Sequence, residues 1–430
     1  MSGTSPRSLA GLQREYAERP AHRESARQQP ALTLPRLWTA CNAVHLLLLV
    51  NIVINIGWVA TSHLRLNDLG SFLHSGAAYR AGLNPYGYYP WLKPLPISGE
   101  ALNLNPPISV YFFETLTVFD PIVLRTIFLG ASLMMFGVAV ALLLRAYPEK
   151  RNVTVLLTVF ALTGLWHMVY YLQIYAPLLL AIVGAWLLIR QGRLAWAGVL
   201  IGFVIAVKPN YALVPLMLLA AGYARIAVPA LLVAAAISLV PLIIDGPVIY
   251  EQWLDMTLGF GGIEWTSNAS LMAVGEHLGL PIIGRTLAVS VMLGILYVQR
   301  RYRPAPLDAL TLSIMAVILF GPVSWAGYTL FLLPFILSRA WDRLTLVAIA
   351  ALMVPFCIMR AIALGGDWLN TVLAPLYAWG VVLLLARLLL DYVPVQLRMS
   401  ARLRDVLRRP RARRLTPMAT QPSVCSARRN

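Results

Sequence analysis

Apolar runs close to the length that crosses a bilayer recur through this chain from about residue 38 to residue 391, and that recurrence constrains the fold more than any motif does. A helix needs about 20 apolar residues to traverse the hydrocarbon core. Runs of that order are read at 38–60, 121–146, 153–170, 173–190, 194–208, 210–224, 226–244, 283–300, 307–322, 326–339, 344–364 and 371–391, which predicts about twelve spans. Composition agrees: 59% of residues are hydrophobic, 12% are charged and mean hydropathy is +0.70. Backbone groups in lipid must bond within their own segment, and the runs lack the short alternation of a membrane barrel. The expected class is therefore an all-α integral membrane protein, a multispanning helical bundle with a long first extracytoplasmic loop. Runs near Lys208 are short, and Pro209 and Pro215 break or kink that region, so the count is open there by about two.

The formal charge of +17 sorts by position. Arg145, Lys150, Arg151, Arg190, Arg193, Arg225, Arg300, Arg301, Arg303, Arg339 and Arg343 fall in alternate turns, which marks those turns as cytoplasmic. The opposite face carries Arg65, Arg80, Lys93, Arg125, Lys208, Arg285 and Arg360. Residues 1–36 are polar and Arg-rich without an apolar core, so they read as a disordered cytoplasmic tail. The membrane domain is 37–392. The second basic tail, 393–430, carries a tract at 398–414 expected to meet anionic membrane lipid rather than nucleic acid. Cys41, Cys357 and Cys425 show neither metal spacing nor an evident disulfide pair.

Two outer loops, about 61–120 and 245–282, are longer than connectors need to be. The first holds a helix-compatible stretch at 69–80, the turn Gly82-Leu83-Asn84-Pro85-Tyr86, the segment Asn103-Leu104-Asn105-Pro106-Pro107, and a short apolar stretch at 108–119 suited to an interfacial helix. Asp68 stands where the first span has left the bilayer, in Asn67-Asp68-Leu69-Gly70-Ser71. There a carboxylate meets both lipid-borne and water-borne substrates, although Asp also suits a plain helix cap. Lys208 needs an anion, or a snorkelling route to water, to offset about 2.5–3.5 kcal/mol if it sits centrally. Arg65 and Arg80 flank the Asp68 segment and suit bidentate binding of phosphate. Asn84 and Asn105, each before a proline, shape loop backbone or touch sugar hydroxyls, as does Tyr86 beside them. Gln173 opens an apolar run and needs a partner across helices or in a cavity. Asn268 and Ser270 in the second loop are candidate ligand contacts, and Ser324 and Trp325 are either a membrane anchor or a sugar platform. His167 reads as a satisfied interfacial residue.

The ordered series Asp68-Leu69-Gly70-Ser71-Phe72, Ser75-Gly76, Tyr79-Arg80, Gly82-Leu83-Asn84-Pro85-Tyr86 and Asn105-Pro106-Pro107 resembles the first outer loop of the polyprenol-phosphate-mannose-dependent α-mannosyltransferases, members of the GT-C membrane glycosyltransferases. Similarity runs on through Gln173, Lys208-Pro209, Asn268-Ala269-Ser270-Leu271 and Ser324-Trp325. Two departures stand out. The family often has Gly before the Gln, where this chain has Leu172, and often His soon after Ser-Trp, where this chain has Ala326-Gly327-Tyr328. Tyr328 then becomes the candidate replacement group.

The resemblance implies a GT-C-type bundle that moves a hexose, mannose in the family, from a polyprenyl-phosphate donor to a glycolipid or cell-envelope glycan. The implied setting is the extracytoplasmic side of a bacterial plasma membrane. Phosphate is already a good leaving group, so one carboxylate serving as base for the acceptor hydroxyl suffices; Asp68 is the candidate, and one-step displacement inverts the anomeric centre. A retaining site would need a second acid close by. The chain has no metal-ligand cluster, phosphate-cradling Gly-rich loop or dinucleotide fingerprint, so no cofactor is expected. The competing classes are a secondary transporter, against which the lack of an internal repeat argues, and a flippase for lipid-linked sugars.

Overall fold

The computed structural model describes residues 34–61, 65–92, 102–365 and 368–392. Residues 1–33 of the expected tail 1–36, the whole of the expected tail 393–430, and Lys93 lie outside the described residues, while 34–36 open a helix. The chain divides into two units, Met1–Leu47 and Leu48–Asn430. The first contributes the opening of the helix Leu34–Ala60; the second holds all that follows.

Every regular element among the described residues is helical, apart from an isolated antiparallel bridge between Asn268 and Trp325. Among the described residues, four helices are long and apolar enough to cross a membrane: Asn42–Ala60, Pro121–Ala146, Ala224–Asp245 and Pro281–Tyr302. Counting the bent pairs Val153–Ala161 with Thr163–Tyr171 (45°) and Arg343–Met353 with Phe356–Ala363 (81°) as one span each brings the number to six. Of the twelve expected spans, four to six are thus borne out by length and composition among the described residues. The other six runs form shorter apolar helices: Tyr175–Arg190, Leu194–Val207, Pro209–Ala220, Pro306–Phe320, Ala326–Ser338 and Leu376–Leu389. At about 1.5 Å per residue, such lengths fall short of the hydrocarbon thickness. Their ends have local causes. Pro209 disfavours helical backbone at Lys208, which sits at φ −134°, ψ 86°, and Gly321 and Trp325 leave helical geometry between Pro306–Phe320 and the following 3₁₀ turn.

The short helices are polar in the same sense. Arg193 precedes Leu194–Val207 and Lys208 follows it; Gln173 precedes Tyr175–Arg190 and Arg190 closes it. The basic turns gather at one end. Arg190 donates to the Ala146 carbonyl (3.0 Å), Lys150 lies over the Trp341 ring (4.7 Å), and Arg339 pairs with Asp308 and Asp391. Lys208, Gln173 and the 321–325 segment lie at the opposite helix ends.

In the first outer loop, helices form at Asn67–Arg80 and Ile108–Leu116, close to the stretches expected. They cross where Gly76 rests on the Phe113–Glu114 backbone, so closely that a Cβ there would clash. The loop is tied to the span Ala224–Asp245, because the Tyr79 and Tyr111 hydroxyls both donate to the Asp245 carboxylate.

Leu194–Val207 is pinned to Ala224–Asp245 through Gly198 and Gly202, four residues apart, against Ile226 and Ala230. Small residues at this spacing let helices approach closely where lipid supplies no hydrophobic drive. A Cβ on Gly202 would come within 2.6 Å of the Ala230 carbonyl oxygen. Gly202→Val is expected to cost at least about 1–3 kcal/mol from overpacking, read as a lower thermal unfolding midpoint in detergent or nanodiscs.

Candidate functional site

Asp68 lies in the first turn of Asn67–Arg80, yet its side chain does not cap that helix. Asn67 adopts a left-handed backbone (φ 44°), which Asn tolerates better than most residues, and its amide donates to the Tyr170 carbonyl. That tie sets the entry of the helix against the end of Thr163–Tyr171. The Asp68 carboxylate instead accepts a hydrogen bond from the Gln173 amide.

Gln173 reaches this position because the preceding helix ends on a left-handed residue, Leu172 at φ 52°. Left-handed backbone costs a residue with a Cβ about 1–2 kcal/mol, and this explains physically why glycine suits the position in the family resembled above. Here the Leu172 side chain offsets the cost by packing in a buried cluster with Leu66, Leu69 and Phe72.

Asp68, Asn105, Gln173, Lys208 and Trp325 line one cavity of roughly 160 Å³, together with His167, Tyr171, Phe260, Trp265 and Ser267. Five residues singled out in the sequence are thereby brought together from five separate segments. Lys208 is 8% exposed. Its ammonium lies 5.6 Å from the Tyr175 ring centroid and 6.0 Å from that of Tyr328, without an ion pair to a carboxylate among the described residues. Burial pushes the Asp68 carboxyl up to about 6, against the Lys208 charge and the Gln173 hydrogen bond, which both favour the anion. Near neutral pH this site holds a carboxylate able to take a proton.

Other expected residues stand outside the cavity. Arg80, at the far end of its helix, pairs with Glu114 (2.7 Å), and Arg65 is exposed, with its carbonyl accepting from Arg125. Neither lines the cavity. Asn84 closes a local turn onto the Tyr86 amide (2.9 Å), and the Tyr86 hydroxyl donates to the Asn105 carbonyl (3.1 Å). Both shape the loop that presents Asn105.

Asn268 is a clamp. Its amide donates to the Ile263 and Pro322 carbonyls, and its oxygen accepts from the Ser270 and Ser324 amides. With the bridge to Trp325, this welds the second outer loop to the 321–325 segment and holds Trp325 at the cavity wall. Ser270 caps Leu271–His277, and Ser324 is fully buried. Tyr328 packs among Tyr175, Tyr211 and Phe331 beneath Lys208 rather than on the cavity.

The reading of His167 as a satisfied residue is corrected. It is 3% exposed, and neither ring nitrogen has a hydrogen-bond partner among the described residues. Sequence reasoning set it aside because a lone imidazole inside an apolar run carries no pattern; only the fold shows that it faces Asp68's cavity. Two further cavity atoms, Asn105 Oδ1 and Gln173 Oε1, are also buried without partners among the described residues. Buried polar atoms are rarely left so in proteins. No group of three His, Cys, Asp or Glu side chains converges as a metal site among the described residues.

The sequence profile described as glycosyltransferase family 87 matches residues 103–325, just over half of the chain. The chain belongs to glycosyltransferase family 87. No curated protein and no solved structure gives a significant match. Membership replaces the transporter and flippase alternatives with glycosyl transfer, and with the apolar helices it makes this family 87 enzyme an integral membrane protein. The matched region carries Asn105, His167, Gln173, Lys208 and Trp325, while Asp68 precedes it.

A cation favours the anionic form of a neighbouring acid, so removing it raises that acid's pKa. Lys208→Met is expected to move the Asp68 carboxyl titration above about 6, measured by the pH dependence of its infrared carbonyl band with Asp68→Asn as the reference.

Proposed function

We propose that this family 87 enzyme transfers a hexose, mannose by resemblance, from a polyprenyl-phosphate donor to a hydroxyl of a glycolipid or cell-envelope glycan, with inversion. The observation that carries the reading is the convergence of Asp68, Gln173 and Lys208 on one cavity. A carboxylate suited to accept a proton and an ammonium suited to hold phosphate meet there without neutralising each other in a direct ion pair. That combination matches a reaction that removes a proton at one atom and releases a phosphate at another.

A second observation supports a lipid-borne donor. A groove of roughly 590 Å³ is lined almost wholly by apolar side chains, among them Tyr111, Phe128, Met135, Ile174, Phe203 and Val207. Ile174 follows Gln173 and Val207 precedes Lys208, so two residues that line the groove are chain neighbours of two that line the charged cavity. On this reading the isoprenoid chain lies in the groove and its terminal phosphate meets Lys208. The third support is orientation. The basic turns lie at the helix ends opposite the cavity, and the positive-inside tendency then assigns the cavity to the extracytoplasmic side.

The chemistry follows in one displacement. The acceptor oxygen attacks the anomeric carbon of a β-linked donor while its proton passes to the Asp68 carboxylate. The bond from that carbon to the phosphate oxygen breaks, its electron pair stays on the phosphate, and Lys208 stabilises the charge that develops. The product is α-linked. Gln173 holds the Asp68 carboxylate in place and keeps one amide oxygen free for substrate.

Asp68→Asn is expected to lower transfer by about 10²–10⁴-fold, as loss of a general base does, with donor binding retained. Radiolabelled polyprenyl-phosphomannose in nanodiscs, assayed for release of polyprenyl phosphate and for acceptor labelling, checks this; parental transfer by the mutant rules out the base assignment. Because the Asp68 proton must be absent for catalysis, kcat/KM should fall as pH drops through about 6. Lys208→Met should weaken donor binding by roughly 10–100-fold, the worth of a charged hydrogen bond.

A further inference from the structure

The mechanism above uses the charged and amide side chains of the cavity. Much of the remaining lining is aromatic, and it includes the one cavity side chain with both of its polar atoms buried and unpartnered among the described residues, His167. A neutral imidazole offers one N–H donor and one acceptor lone pair. Leaving either unmade inside a protein is unfavourable, and a ligand that bonded them would remove that cost.

The surroundings are those of a sugar subsite. The His167 ring lies 4.5 Å from that of Tyr171 and 6.4 Å from that of Trp325, nearly parallel to the latter at 23°. Trp265 extends the wall, 5.4 Å from Trp325. Flat aromatic faces beside isolated polar atoms suit a pyranose, which presents C–H groups on its faces and hydroxyls around its rim. Water alone would not call for the aromatic wall.

His167 is also held rigidly. Its helix, Thr163–Tyr171, starts with Gly164 packed so closely on Ala326 and Thr329 that a Cβ would lie 3.0 Å from the Ala326 carbonyl oxygen and 2.9 Å from the Thr329 hydroxyl. The same helix ends at the Tyr170 carbonyl that receives Asn67, next to Asp68. The imidazole and the carboxylate are thus fixed relative to each other by one short helix, the preorganisation that transfer geometry requires.

We propose that His167 binds the transferred hexose directly, its ring nitrogens hydrogen-bonding sugar hydroxyls while the ring lies against Trp325, and that it thereby sets which hexose the enzyme accepts. The inference rests on the glycosyl-transfer reading above. It makes His167 a specificity-determining contact rather than a base.

The test uses the full-length protein in nanodiscs with polyprenyl-phosphomannose and a set of donors each lacking one hexose hydroxyl. For the parent, one or two of these deoxy donors should react at least about tenfold more slowly than the complete sugar. In His167→Phe, kcat/KM for the complete donor should fall by about ten- to hundredfold, and the preference over those same deoxy donors should disappear. His167→Gln, which keeps a donor and an acceptor, should recover part of both. The thermal midpoint of His167→Phe should be unchanged or higher, because an unsatisfied buried polar group has been removed. A second readout does not depend on turnover: donor binding, followed by quenching of tryptophan fluorescence, should weaken in His167→Phe. Unchanged donor preference and binding in His167→Phe overturn the assignment, as does a lowered midpoint with preference intact, which marks a structural role. Absence of transfer by the parent overturns the glycosyl-transfer reading instead, and His167-dependent donor binding would then still stand.

Discussion

An ammonium and a carboxylate that share a cavity without touching are the condition on which the rest of this structure depends. Lys208 is withdrawn from water and Asp68 partly so, and each makes the other's charge less costly from a distance. Had Lys208 closed a direct ion pair on Asp68, neither would retain capacity for substrate. Had they lain in separate cavities, burial alone would have driven one or both to neutrality. The Gln173 amide takes up part of the Asp68 charge, and the tyrosine faces take up part of that of Lys208.

This arrangement is possible because the helices that carry it stop short. Lys208 and Gln173 both occupy breaks, one enforced by Pro209 and the other by a left-handed Leu172. Backbone that leaves helical geometry at membrane depth is tolerated only where protein or a water-filled cavity surrounds it. The breaks and the cavity therefore require each other. Close helix contacts at Gly198, Gly202 and Gly164 keep the interrupted segments in register.

Much of the architecture was legible in the sequence. The four long helices lie within a few residues of the apolar runs, and the two helices of the first long loop lie close to the helix-compatible stretch at 69–80 and the short apolar stretch at 108–119. Four to six of the twelve runs qualify as spans by length and composition, and hydropathy alone does not separate them from the rest, because it reports burial from water without saying whether lipid or protein replaces it. Apolar runs such as 306–320, buried almost throughout, look the same on that scale as runs facing acyl chains. Within the site, Asp68, Gln173 and Lys208 were visible because charged or amide groups beside apolar runs demand a partner. Arg80 met that demand locally through Glu114, which sequence distance concealed. Asn268 spends all of its hydrogen bonds on the fold. His167 was missed for the converse reason: its significance lies in partners it lacks. The resemblance leads one to expect an imidazole soon after Ser-Trp, and this fold places one against Trp325 from a different helix.

Phe112 and Phe203, both exposed, are among the apolar side chains that line the groove. On the proposed reading, the donor enters by sliding sideways from the bilayer and never passes through bulk water. Its effective concentration is then a surface density, set by the mole fraction of carrier lipid in one leaflet. Enlarging the aqueous volume leaves such a reaction unchanged, whereas diluting the leaflet with inert lipid starves it.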